Sequence, residues 1–178
     1  MAYTPFNLEG KVALVTGGNR GIGFGFAQAL YDAGAAVAIW GSNEKNNHEA
    51  VEKLGSGAKA WTVNVADEKQ VAEAMVDVVS HFGRIDSVFA NAGIGGGAES
   101  FAEFPTETYR RVLSVNLDGV FFTLREAAKH MIERAKAGDP GGSLVGLASL
   151  AAIEGAAKNE AYAATKGAVD AFTITMAA

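Results

Sequence analysis

Short apolar runs and longer amphipathic ones take turns along this chain. "KVALVT" (11–16) is a compact apolar run ending in glycines, and "GFAQALYDAG" (25–34) behind it predicts a helix closed by Gly34. "AVAIWG" (36–41) predicts a second strand, followed by a polar helix over 44–54, and "AKAWTVNV" (58–65) predicts a third strand. The clearest helix covers 67–82, where Val71, Met75, Val78, Val79 and Phe82 fall on one face. Asp67 followed by Gln70 resembles a capping box at its start. "IDSVFAN" (85–91) reads as strand four, a long helical region runs over 106–137, and "GDPGG" (138–142) breaks it. "SLVGLAS" (143–149) reads as strand five, and the last helix begins near 159.

Strand and helix in strict alternation imply a parallel sheet covered on both faces. Right-handed crossovers then favour an α/β doubly wound, Rossmann-like fold. No repeat, low-complexity run or flexible linker divides residues 1–178, and that length suits one domain.

Composition narrows the chemistry. Hydrophobic residues at 49% and charged residues at 20% match a soluble globular protein. A net charge of -5 with no basic cluster argues against a nucleic-acid partner. With no cysteine there is no disulfide, thiolate metal site or cysteine nucleophile, and His48, His81 and His130 lack the spacing of a zinc site. The start lacks a basic segment followed by a long apolar one, and "LVGLASLAAI" is too short to span a bilayer. A cytoplasmic protein with no metal and no membrane partner is expected.

"TGGNRGIG" (16–23) lies between the first strand and its helix. Glycines let the backbone turn sharply and approach a ligand, and free N–H groups at a helix start attract a pyrophosphate. The spacing Gly17-x-x-x-Gly21-x-Gly23 differs by one residue from the commoner G-x-G-x-x-G. A ligand-free turn is the plain alternative in a chain with 22 glycines. The position after an N-terminal strand favours the ligand.

Four segments together carry a resemblance: "TGGNRGIG", "NAG" (91–93), "VNLDGVFF" (115–122), and Ser149 followed by "YAATK" (162–166). In that order, beside those elements, they resemble the short-chain dehydrogenase/reductase family. The likeness covers essentially the whole chain, and roughly the first two-thirds to three-quarters of a typical member. It implies hydride transfer between a nicotinamide dinucleotide and a ketone or secondary alcohol. The matching catalytic positions are Asn116, Ser149, Tyr162 and Lys166. Gly17, Asn19, Arg20, Gly21, Ile22 and Gly23 match the cofactor loop, and Asn91, Ala92 and Gly93 the segment beside the adenosine ribose. Ser42, Asn64 and Val65 complete the adenosine end, while Tyr162 and Lys166 also face the cofactor.

The placement makes chemical sense. Gly17, Asn91 and Ser149 follow or end strands one, four and five, on the sheet edge where ligands bind. Tyr162 enters from the next helix with Lys166 one turn along the same face. Ketone reduction needs a proton for the alkoxide, and a phenol can donate it, but its usual pKa of about 10 hinders proton return. A cation about 4 Å away at an effective dielectric near 20 contributes about 4 kcal/mol, or about three pKa units, which desolvation partly opposes. Ser149 would hydrogen-bond the substrate oxygen, or simply be a satisfied strand-end hydroxyl. A nucleophilic serine fails, since no G-x-S-x-G surrounds it and no histidine follows. By the resemblance, Asn116 would hold a water relaying protons from Lys166; taken alone, it reads as a kink or packing contact.

NAD-preferring members place an acid at the end of strand two. Here that position is Gly41, followed by Ser42, and Arg20 is placed either to meet a 2′-phosphate or to lie solvated in the loop. NADP is therefore expected over NAD. Asn64 stands where many members carry an aspartate near the adenine. The family continues with two more strands, whereas here the apolar helical pattern still runs at Ala178 without a glycine cap. A chain truncated within its last helix is expected, lacking those strands. It should present strand five as an edge and self-associate as a homo-oligomer. The alternative is a non-catalytic dinucleotide-binding or oligomerising fragment.

Overall fold

Five consecutive buried side chains make up β1 (Val12–Thr16), as a strand covered on both faces requires. The computed structural model describes residues 6–178. Four further strands join it: β2 (Ala36–Gly41), β3 (Ala58–Thr62), β4 (Ser87–Ala90) and β5 (Ser143–Gly146). All pairings are parallel, in the order β3-β2-β1-β4-β5. The order reverses between β1 and β4, which opens a crevice at their C-terminal ends.

Alternate strand residues feed two cores. Leu14, Ala38, Trp40 and Val88 face one layer with Val71 and Val78 of α3 (Glu68–Phe82), Leu124 of α5 (Gly119–Lys136) and Val169 of α7 (Glu160–Ala177). Val15, Val37 and Ile39 face the other with Ala27 of α1 (Gly21–Asp32) and Leu54 of α2 (Glu44–Leu54). The predicted stripe on α3 holds: Val71, Met75 and Val78 are buried, and Val79 and Phe82 pack against them. Its capping box is half formed. Asp67 Oδ1 accepts the Lys69 and Gln70 N–H groups at 3.0 and 3.1 Å, while Gln70 Oε1 takes the Asn64 N–H instead of Asp67's.

Several elements depart from the sequence expectation: β3 ends at Thr62 rather than 65, and β4 covers only Ser87–Ala90 of the expected 85–91. α1 starts at Gly21, not 25, because the loop's last glycines form its first turn. The 106–137 region is α4 (Thr106–Leu113), a π-helical turn (Ser114–Asp118) and then α5. β5 ends at Gly146, and residues beyond it turn into a short helix, α6 (Ala151–Glu154). Among the described residues no helix is long and apolar enough to cross a membrane, and no group of His, Asp and Glu is arranged to hold a metal.

The opposite end of the sheet is closed by charge. Asp86, with its side chain 12% exposed, meets Arg84 at 2.6 and 2.9 Å, Arg134 at 3.4 Å and the Val12 N–H at 2.9 Å. Burial alone would raise its pKa, but these partners outweigh it and hold the carboxyl below its ordinary 3.8. Nearby, His130 Nε2 accepts the Ile85 N–H at 3.2 Å, which requires the neutral ring. Burial, then the Arg134 charge, keeps its pKa below 6.5. Both groups bind protons more weakly when folded. Their stabilisation is complete at higher pH; His130's declines below pH 6.5 and Asp86's below pH 3.8. Asp86→Asn is expected to cost roughly 2–4 kcal/mol in denaturant unfolding at neutral pH, a deficit that shrinks in acid.

Candidate active site

Past Val15 and Phe89 the ladder between β1 and β4 ends, and side chains take over. The Asn91 and Ala92 N–H groups both donate to buried Thr16 Oγ1, at 3.0 and 2.9 Å. Asn91 Nδ2 donates to the Thr16 carbonyl at 2.9 Å and reaches the Gly17 carbonyl at 3.4 Å. Asn91 thus straps the glycine loop to β4. Gly17 sits at φ 64°, in the left-handed region, and its N–H donates to the Trp40 carbonyl at 2.7 Å. A Cβ at Gly23 would lie 2.2 Å from the Gly17 oxygen, so the first turn of α1 packs directly on the loop.

The start of α1 carries no acidic residue in its first turn and no side-chain cap, which leaves its N–H groups free for an anion. A cleft of about 650 Å³ opens there. From the loop it is lined by Gly17, Asn19, Arg20, Gly21, Ile22 and Gly23; from the ends of β2 and β3 by Ser42, Asn64 and Val65; and from β4 by Asn91, Ala92 and Gly93. Every cofactor position expected outside α7 therefore meets in one crevice. Asn43, Asn46, Ile94 and Val115 also line it. Asn43 announced itself only as the residue before a polar helix, whose Asn46 N–H it caps at 2.9 Å. Arg20 is the one charged residue of the lining, and no carboxylate joins it.

A dinucleotide fits these residues. The glycine cradle keeps side chains away from where a pyrophosphate would approach the α1 N–H groups.

The catalytic candidates lie beside that cleft, and none of the four lines it. Asn116 is fully buried in the π-helical turn. Its Oδ1 accepts the Ile94 N–H at 2.8 Å, and its Nδ2 donates to the Ile94 carbonyl at 2.9 Å and to Thr165 Oγ1 at 3.3 Å. Thr165 donates in turn to the Tyr162 carbonyl at 2.8 Å. The side chain thus ties the cleft's β4 loop to the turn bearing Tyr162 and Lys166. Ser149 is not at a strand end: it lies three residues past β5, where its Oγ accepts the Ala151 N–H at 3.2 Å and starts α6. The hydroxyl's affinity for the i+2 N–H turns the chain there.

Lys166 is 3% exposed, with Nζ donating to the Leu147 carbonyl and standing 5.6 Å from the Tyr162 ring centroid. Burial lowers its pKa from 10.5, and among the described residues no carboxylate pairs with it. The folded state thus resists its charge, a penalty that is full at neutral pH and vanishes as pH rises to 10.5. Lys166→Met is expected to raise stability by about 1 kcal/mol at neutral pH, with the gap closing in alkali, as followed by thermal unfolding.

The sheet order and the glycine cradle are those of a doubly wound, dinucleotide-binding fold. A family model described as short chain dehydrogenase matches residues 11–178, and the chain belongs to that family. It is 39% identical to versicolorin reductase 1 of Aspergillus parasiticus, covering 96% of this chain and 64% of the relative. It is 36% identical to a probable tetrahydroxynaphthalene reductase of Zymoseptoria tritici, covering 99% and 67%. Among solved structures, the 3-ketoacyl-(acyl-carrier-protein) reductase from Brucella melitensis complexed with NADH superposes with a TM-score of 0.90 at 31% identity, over 96% of this chain and 70% of that one. The chain spans about two thirds of the length of these curated relatives.

Proposed function

We propose that the protein transfers hydride between NADP and a ketone or secondary alcohol, with Tyr162 as acid/base. The observation that carries this reading is the glycine-built cleft joined through Asn116 and Thr165 to the turn bearing Tyr162 and Lys166. The nicotinamide supplies or accepts the hydride when bound. Tyr162 gives the substrate oxygen its proton in reduction and withdraws it in oxidation. The Lys166 ammonium stabilises the phenolate that remains, because a buried cation is worth more than a solvated one. Ser149 Oγ donates its proton to the substrate oxygen and orients it, while still accepting the Ala151 N–H. Asn116 holds the Tyr–Lys turn against the cleft and carries the water through which Lys166 regains protons.

NADP is favoured over NAD by the lining: one arginine, no acid, and a glycine at the end of β2. Solved relatives are described with NADH and with NAD+, and the preference for NADP rests on this chain's own residues. The domain acts in the cytoplasm as a homo-oligomer. Titrating NADPH and NADH against tryptophan fluorescence, then assaying ketones including versicolorin-type and naphthol substrates, tests the proposal. Tighter NADPH binding with turnover is expected; no binding of either dinucleotide contradicts it. Binding without turnover is the second reading, favoured because Ser149, Tyr162 and Lys166 line no part of the cleft.

A further inference from the structure

Asn47 is a 4% exposed residue on α2, outside the cleft, and nothing in the hydrophobic pattern marks it. Its Nδ2 donates to the Gly41 carbonyl at 2.9 Å, with longer contacts to the Trp61 carbonyl at 3.3 Å and Thr62 Oγ1 at 3.4 Å. Two carbonyls on that side fix the amide's orientation, because only the NH2 group can serve both. The other end, Oδ1, then faces the loop and accepts from Asn19 Nδ2 at 2.7 Å. Asn47 thus closes the C-terminal ends of β2 and β3 and holds the glycine loop to them.

The pair fills a particular space. A Cβ built at Gly41 would lie 2.2 Å from both Asn19 Nδ2 and Asn47 Oδ1. Gly41 ends β2, where a dinucleotide site that grips a bare ribose carries its acid. Asn19 directly precedes Arg20, the one charge of the lining.

We infer that Asn47 is the positioning residue that sets dinucleotide preference, by seating Asn19 over the end of β2, excluding any side chain at position 41 and holding the Arg20 segment in its place. The inference rests on the reading that the cleft binds NADP. Asn47 touches no part of the cofactor itself; it acts through Asn19, Gly41 and Arg20.

The test measures the dissociation constants of NADPH and NADH for wild type, Asn47→Ala, Gly41→Asp and the double variant, with melting temperatures recorded for each. Asn47→Ala should lower the NADPH-over-NADH preference about tenfold, the loss of one well-placed charge contact. Gly41→Asp alone should weaken both dinucleotides, since its Cβ meets the pair. Adding Asn47→Ala should restore NADH binding about tenfold over Gly41→Asp, with NADH now bound more tightly than NADPH. A general loss of rigidity would lower both affinities and leave their ratio alone. An unchanged ratio in Asn47→Ala, or a double variant no better for NADH than Gly41→Asp, overturns the inference while leaving the proposed function standing. A wild type that binds neither dinucleotide overturns both. If Asn47→Ala does not fold, Asn19→Ala opens the same space without uncapping the strands; the same fall in ratio is expected, and no fall overturns the inference.

Discussion

Tyr162→Phe is expected to lower turnover by a factor on the order of 10²–10⁴, the contribution of a positioned proton donor, while NADPH affinity stays within about twofold. The substitution removes one oxygen and keeps the ring, and the ring is what meets the Lys166 ammonium at 5.6 Å. Tyr162 lies outside the cleft's lining, so the glycine cradle and the β4 segment that hold the dinucleotide are untouched. Steady-state rates with NADPH and a responsive ketone, alongside a direct binding titration, separate the two effects. An unchanged rate removes Tyr162 from the chemistry. A parallel loss of binding assigns it a structural part instead.

The second large effect belongs to Gly23. Alanine there places a methyl group 2.2 Å from the Gly17 oxygen and 2.5 Å from Asn91 Nδ2. The first neighbour is backbone, and the second is held by its bond to the Thr16 carbonyl, so neither can yield cheaply. Overpacking of this kind costs about 1–3 kcal/mol, a melting temperature lower by roughly 2–12 °C in a chain of this size. Dinucleotide affinity should fall by a factor on the order of 10² or more, because the loop must open to relieve the clash. Gly25→Ala is the control, two residues along the same helix with nothing within 4 Å of its added methyl. It should bind the dinucleotide normally and be slightly more stable, as helix propensity dictates. Equal behaviour of the two variants in binding would remove the cradle from the account.

Much of this architecture was legible because periodicity and burial agree. The stripe on α3 and the continuous apolar run of β1 follow from water alone, and the parallel order follows from the alternation of elements. The cofactor loop was legible for a different reason: Gly17 and Gly23, at the passage from β1 into α1, meet across a backbone contact that any larger residue at 23 would block. What escaped the pattern depended on contacts distant in sequence. The π-helical turn at Ser114–Asp118 places Asn116 against Ile94 and Thr165, and no local propensity announces such a turn. Ser149 left the strand because its hydroxyl found the Ala151 N–H, a choice invisible to hydrophobic periodicity. Asn47 is, by sequence, an ordinary polar residue of a polar helix, and only its contacts with the ends of β2 and β3 distinguish it. The helix start at Gly21 was masked by the residues that make it useful, since glycine reads as a helix breaker in any propensity scale.

The most direct measurement is a crystal structure of the protein with NADPH. The account predicts the pyrophosphate on the N–H groups at the start of α1, the 2′-phosphate beside Arg20, and the nicotinamide ring within reach of the Tyr162 hydroxyl. A ring lying elsewhere, or a Tyr162 hydroxyl turned away from it with Lys166 directed only at Leu147, would contradict it.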